Sequence, residues 1–316
     1  MKAFFAKCMS ILMTIIFSFI PWTAEYSVKE PDSIKLTVGL VSDVHINGWL
    51  PVGQAALVTA YRDMSGCNPD GVIVLGDLVQ NGDEFSMETF FDITKKNVME
   101  NGRLPIVISG NHDIGHANVS NEEARQRFIR LANEYLNYNI ENIFFSKDLN
   151  GYTFICMGDE SEDNWDRPEY YEEQLAMLDS ELARGTENGK PVFVLTHVPV
   201  AEIHGEKHYY KNGGIEEPFN TQFREILEKY ENVFCLSGHL HKGISNSERT
   251  PTYTTVNGVH YLNLTSYLMA NWPQGGIPLN GVGFIMEIYD NNVTFRARNY
   301  YVHTWLTAYE YVEPLV

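Results

Sequence analysis

The chain is short of cysteine and short of basic charge, and each shortage excludes something. Four cysteines stand among 316 residues, at positions 8, 67, 156 and 235. Cys8 falls in an apolar leader, and the other three form an odd, scattered set with no Cys-x-x-Cys. That excludes a disulfide framework and a thiolate zinc site. Cys156 and Cys235 sit inside strand-like apolar runs and read as reduced core residues. Lysine and arginine number 23 against 41 aspartates and glutamates, a formal net charge of −18. Such a surface does not attract a nucleic-acid polymer, which needs basic patches. It leaves room for a small phosphorylated substrate, because bound divalent cations reverse the sign locally. There is no internal repeat and no low-complexity tract.

A long membrane-spanning run is also missing. The apolar stretch over 8–20 is too short for a comfortable span. Lys2 and Lys7 precede it and Pro21-Trp22-Thr23-Ala24 follows. A basic start, a short apolar centre and a small residue where cleavage can follow make the layout of a secretory signal, although Trp22 fits the cleavage pattern poorly. Residues 1–24 therefore read as a signal peptide or amino-terminal anchor, 25–33 as a polar linker and 34–316 as the folded domain. Export is expected, with membrane contact only through the amino-terminal segment if it stays uncleaved.

What the sequence does contain is 44% hydrophobic residues, enough for a substantial core. Short β-branched runs over 34–42, 72–75, 105–109, 191–195 and 233–237 read as strands covered on both faces. Helices are predicted between them over 52–65, 84–99, 121–136, 167–184 and 219–230. A hairpin is predicted over 142–157 around Asn150-Gly151. After residue 241 strands dominate, over 253–256, 259–264, 283–289 and 293–299, with tight turns at Asn257-Gly258 and Asn291-Asn292. Alternating strands and helices followed by strands suit an α/β domain of two packed sheets with helices outside.

The five buried runs all finish on residues able to bind metal: Asp43 and His45, Asp77, Asn111, His197, and His239 with His241. Each alone reads as a polar strand end. Together, at the ends where open α/β sheets bind ligands, they point to chemistry. In extended chain residues i and i+2 face the same side, so Asp43 and His45 can reach one ion, or His239 and His241 two neighbouring ions. Seven donors exceed the needs of one ion and imply two, with Asp77 able to bridge them. Mixed nitrogen and oxygen donors suit Mn, Fe, Zn or Co rather than a calcium cage. Two ions roughly 3.5–4 Å apart share a hydroxide, lower its pKa and brace an in-line displacement at phosphorus. His112 is left over as an acid that can steady transition-state charge or donate to the leaving oxygen. Asp113 is expected to hold and polarise it.

The motifs Asp43-Val-His45, Gly76-Asp77, Gly110-Asn-His-Asp113, Thr196-His197 and Gly238-His-Leu-His241, in that order, resemble those of the calcineurin-like metallophosphoesterases. The resemblance implies a four-layer α/β/β/α sandwich with two mixed sheets and a two-metal hydrolase. It also implies that Asp43, His45, Asp77 and His241 hold one ion and that Asp77, Asn111, His197 and His239 hold the other. Leu78-Val79-Gln80-Asn81-Gly82 lacks the phosphate-contacting arginine of the protein Ser/Thr phosphatases. Gln80 also stands where purple acid phosphatases carry a tyrosine ligand. What remains resembles the broad phosphodiesterase and phosphomonoesterase branch. Weaker candidates for a role at the site are the loop over 204–211, the acidic loop over 159–166 and His116, while His260 and His303 read as structural. Two other functions stay open: a metal-bearing scaffold without catalysis, and a dinuclear hydrolase of amides or acyl esters.

Overall fold

The computed structural model describes residues 33–162, 166–210, 213–268 and 271–316. The leader over 1–24, and the linker over 25–33 except its last residue, lie outside these. Among the described residues twelve strands and five α-helices follow one another. The first part alternates: β1 (Leu36–Val41), α1 (Pro51–Ser65), β2 (Gly71–Leu75), α2 (Glu84–Asn97), β3 (Leu104–Ile108) and α3 (Asn121–Leu136). A hairpin follows, β4 (Phe145–Leu149) and β5 (Tyr152–Cys156), and then α4 (Glu172–Gly185), β6 (Val192–Leu195), α5 (Phe219–Leu227) and β7 (Val233–Ser237). The last strands are β8 (Tyr253–Val256), β9 (Val259–Asn263), β10 (Val282–Ile288), β11 (Asn292–Asn299) and β12 (Thr304–Pro314).

The strands form two six-stranded sheets, ordered β12-β11-β10-β1-β2-β3 and β4-β5-β6-β7-β9-β8. Both are mixed. In the first, β1, β2 and β3 run parallel while β10 lies antiparallel to β1. In the second, β5, β6, β7 and β9 run parallel, and β4 and β8 close the edges antiparallel. Side chains of the second sheet alternate with period two, as the pleat demands. Phe154, Cys156, Phe193, Leu195, Phe234 and Leu236 join the core shared with the first sheet. Their neighbours Ile155, Val192, Val194, Val233 and Cys235 pack instead with Leu178 and Leu182 of α4 and Phe223 and Leu227 of α5. A row of rings, Phe154, Phe193 and Phe234, stacks at 5.1 and 5.4 Å and meets Phe295 of the first sheet at 5.9 Å. Helices, sheet, sheet and helices thus make the four layers the resemblance implies.

Three departures from the sequence reading concern the elements themselves. The late strands are divided between the sheets: β8 and β9 form the Asn257-Gly258 hairpin, with φ of 50° and 84°, but β9 then joins β7 in parallel. The strand β12 was not predicted. It is the edge of its sheet, half-buried to exposed along its length, and mixes charged and apolar residues without the buried run that marks the inner strands. Finally, α4 begins at Glu172 rather than at 167. Pro168 disfavours helix for the residue before it, the buried Tyr170 is tied by its hydroxyl to Thr196 Oγ1 at 2.8 Å, and Tyr171 is extended.

Candidate metal centre

The first sheet delivers Asp43 and His45 after β1, Asp77 after β2 and Asn111 after β3. The second delivers His197 after β6, and His239 and His241 after β7. All seven meet at the seam between the sheets. Asp43, His45, Asp77 and His241 each offer a ligand atom within 4.8 Å of the others. His241 Nε2 lies 3.1 Å from Asp43 Oδ1 and 3.0 Å from His45 Nε2. The second group surrounds Asn111 Oδ1, which lies 3.0 Å from His197 Nε2 and 3.0 Å from His239 Nδ1. Asp77 belongs to both groups. Its Oδ2 is 3.3 Å from His45 Nε2, and its Oδ1 is 3.2 Å from His197 Nε2.

The local backbone does not follow the extended geometry expected from the i, i+2 spacing. Asp43, His45, Asp77, His239 and His241 have φ of 53°, 40°, 50°, 67° and 44°. Aspartate and histidine are among the non-glycine residues that enter this left-handed region more readily. Concentrated backbone strain of this kind is held only where the surroundings over-determine it, as at ligand sites. Part of that determination is glycine. A Cβ on Gly76, itself at φ +79°, would stand 2.6 Å from His197 Nδ1, and one on Gly110 would collide with the Asp77 backbone and carboxylate.

Hydrogen bonds fix the donors. The Asp43 carboxylate accepts the His239 amide at 3.1 and 3.2 Å. Asp77 Oδ1 accepts the His112 amide at 2.9 Å. His197 Nδ1 donates to the Leu75 carbonyl at 2.6 Å, which selects the tautomer that turns Nε2 to the site.

Asp43 is fully buried and Asp77 1% exposed, and their ion pairs all go to histidines of the same set. Burial pushes the Asp43 carboxyl up, but the His241 hydrogen bond and charge outweigh it and hold it at about 2. Asp77 is likewise held well below the usual carboxylate range, by His197 and His45 acting against burial. Burial brings His45 down to about 3 and, with the His197 charge, His239 to about 4. For His197 the charge and hydrogen bond of Asp77 overcome burial and raise it to about 10. Buried carboxylates and imidazoles converging from two sides suit divalent cations, since buried charge must be paired or coordinate a metal.

His112 stands at the edge of this set. Its ring packs edge-on against His45 at 4.6 Å. Its Nδ1 donates to the Gln80 carbonyl at 2.7 Å, with the Gln80 side-chain amide at 3.3 Å. Asp113 does not take the place expected for it. Its carboxylate turns back and accepts the amides of Gly110, Leu78 and Val79 at 2.8, 3.1 and 3.0 Å. It braces the β2 and β3 loops, and Gln80 orients His112 instead. Burial and the Asp77 charge push the Asp113 carboxyl up to about 7, against those three donors.

Three weaker candidates from the sequence also come together here. Asp166 accepts from Asn111 Nδ2 at 2.8 Å, Tyr210 lies tilted over His239 at 5.3 Å, and His116 stacks on His112 at 4.1 Å. Other parts of the same loops do not reach the site: Asp159 binds Ser161 and the Glu169 amide, and Lys207 pairs with Glu202. Lys211 lies outside the described residues. His260 stacks on Phe234, and His303 contacts Asp63, both away from the seam.

The chain matches the calcineurin-like phosphoesterase family over residues 36–243. Comparison with curated protein sequences gives no match. Among solved structures it is similar to a dimetal phosphatase from Danio rerio, at 13% identity and a TM-score of 0.61, over 90% of this chain and 100% of that one. It is also similar to a purple acid phosphatase from yellow lupin (Lupinus luteus) seeds, at 15% identity and a TM-score of 0.57, over 92% of this chain and 55% of that one. A third likeness is to GAP50, the anchor in the inner membrane complex of Plasmodium, at 11% identity and a TM-score of 0.54, over 89% of each chain. At these identities the three likenesses concern the fold. The family match extends over all five motif blocks, and on that ground the chain belongs to the calcineurin-like phosphoesterase family and is a metal-dependent phosphoesterase.

Proposed function

We propose that this chain hydrolyses small phosphoesters, diesters or monoesters with the help of a pair of divalent cations, to both of which Asp77 would contribute. The observation that carries this reading is the Asp77 carboxylate, whose two oxygens face histidines of two different donor groups. Asp43, His45, Asp77 and His241 would hold one ion, and Asp77, Asn111, His197 and His239 the other. When bound, such a pair supplies Lewis-acid stabilisation of phosphoryl oxygens and a water acidic enough to attack near neutral pH. Mn, Fe, Zn and Co all suit this donor set.

The chain's own residues supply the rest. Asp43 and Asp77 place negative charge deep in the seam and balance the cations. His112, oriented by the Gln80 carbonyl, steadies charge building on the phosphoryl group or gives its Nε2 proton to the leaving oxygen. The net charge of −18 favours a small substrate over a nucleic-acid polymer. Export rests on the leader motif alone.

The test is turnover of a chromogenic bis-phosphoester and its monoester by the purified protein with added Mn²⁺. Cyclic nucleotides and acyl esters complete the panel. Hydrolysis of phosphoesters is expected. The likeness to GAP50 is what keeps a scaffold reading in view. No turnover with both metal positions filled would favour that scaffold, and activity on acyl esters alone would favour a different hydrolase.

A further inference from the structure

An amide side chain presents nearly the same shape whichever way it is turned, yet only its oxygen can ligate a cation. Asn111 therefore needs something that tells its oxygen from its nitrogen. The two imidazole nitrogens at 3.0 Å from its Oδ1 do not settle this, because a histidine nitrogen can donate or accept. On the other side of the amide stands Asp166, whose Oδ1 accepts from Asn111 Nδ2 at 2.8 Å. An ionised carboxylate only accepts, so it admits the NH₂ end and refuses the oxygen.

We propose that Asp166 is a positioning residue that turns the Asn111 amide so that its oxygen faces His197 and His239. This rests on the reading that a second cation sits there. Asp166 is itself held from two directions. Tyr210 donates its hydroxyl to Asp166 Oδ2 at 3.0 Å, and His116 Nε2 lies 3.4 Å from Oδ1. The same two side chains lean on the site, Tyr210 over His239 and His116 over His112, with the latter pair stacked at an interplanar angle of 14°. The β5–α4 loop, which carries Asp166, and the loop after β6, which carries Tyr210, are thus joined at one carboxylate behind the Asn111 amide. Partners of metal ligands in this position typically change metal affinity about 10–100-fold when removed.

The test is metal binding by the whole protein, apo and titrated with Mn²⁺ against a competing chelator. The variants are Asp166→Asn, which keeps size and shape but lets Asn111 turn over, and Tyr210→Phe, which keeps the ring over His239. In Asp166→Asn one ion is expected to weaken about 10–100-fold while the other and the apo melting temperature are unchanged. Tyr210→Phe should weaken the same ion by less. Two ions as tight in Asp166→Asn as in the unsubstituted chain would overturn the assignment. So would equal weakening of both ions, or a fall in apo melting temperature that accounts for the loss. Fewer than two ions in the unsubstituted chain would overturn the two-cation reading as well.

Discussion

His112 and Asn111 are neighbours with separate tasks, and substitution separates them. His112 Nδ1 is tied to the Gln80 carbonyl and its ring rests against His45, but it contributes no atom to either donor group. His112→Ala is expected to keep both ions and lower kcat by about 10²–10⁴, the range for lost acid–base help. Metal analysis beside steady-state kinetics checks this, and loss of metal would show that the ring is a ligand. His197 gives a second prediction. Raised to about 10 by Asp77, it carries a proton at pH 7.5 that it must lose to ligate through Nε2. Metal loading at pH 7.5 should therefore release at least one proton per chain and tighten as pH rises. Calorimetry in buffers of different ionisation enthalpy measures that proton. In the apo protein the same shift adds stability below the unfolded value near pH 6.5, lost as pH rises through about 10. At this scale the sequence was informative about which side chains converge, because aspartate, asparagine and histidine after buried runs are conspicuous. It was uninformative about partners. Nothing in the order Asn-His-Asp indicates that Asp113 folds back onto three backbone amides, or that Gln80 contributes through its carbonyl.

Among the elements, the loops after β1, β2 and β7 matter most, because left-handed residues there aim the donors. The i, i+2 spacing implies extended chain, whereas Asp43, His45, Asp77, His239 and His241 converge from left-handed backbone. Helices were easier to read. The span Asn121–Leu136 was predicted to the residue, and the structure adds its cap, Ser120, which accepts the Glu123 amide. Asp83 does the same for α2 by accepting the Ser86 amide at 3.0 Å. Asp83→Ala should cost about 1 kcal/mol of stability, measured by denaturant unfolding, with metal affinity intact because α2 carries no donor. A coincident loss of metal would mean that the helix start also positions the β2 loop. The edge strand β12 was not legible for a physical reason: an exposed edge need not alternate or bury a continuous apolar run.

Taken whole, the molecule is two sheets joined by an apolar seam with polar donors at one end. Phe234 lies fully buried in the middle, stacked on Phe193 and touching Phe295 across the seam. Phe234→Ala should cost about 3–5 kcal/mol, read as a lower melting temperature. Added Mn²⁺ should restore part of it, because cations held by donors from both sheets would bind only the folded state. Equal melting temperatures with and without metal would mean that the ions do not bridge the sheets. The two-sheet layering was inferable from the change of strand pattern after residue 241. The assignment of each late strand was not, since β9 and β10 are both buried along their whole length and burial alone does not say which sheet a strand joins.

The most direct measurement is anomalous diffraction from crystals of the protein soaked in Mn²⁺. Two peaks are expected, roughly 3.5–4 Å apart, with the Asp77 carboxylate between them, one beside His45 and His241 and the other beside Asn111, His197 and His239. A single peak, or peaks away from Asp77, would contradict the account.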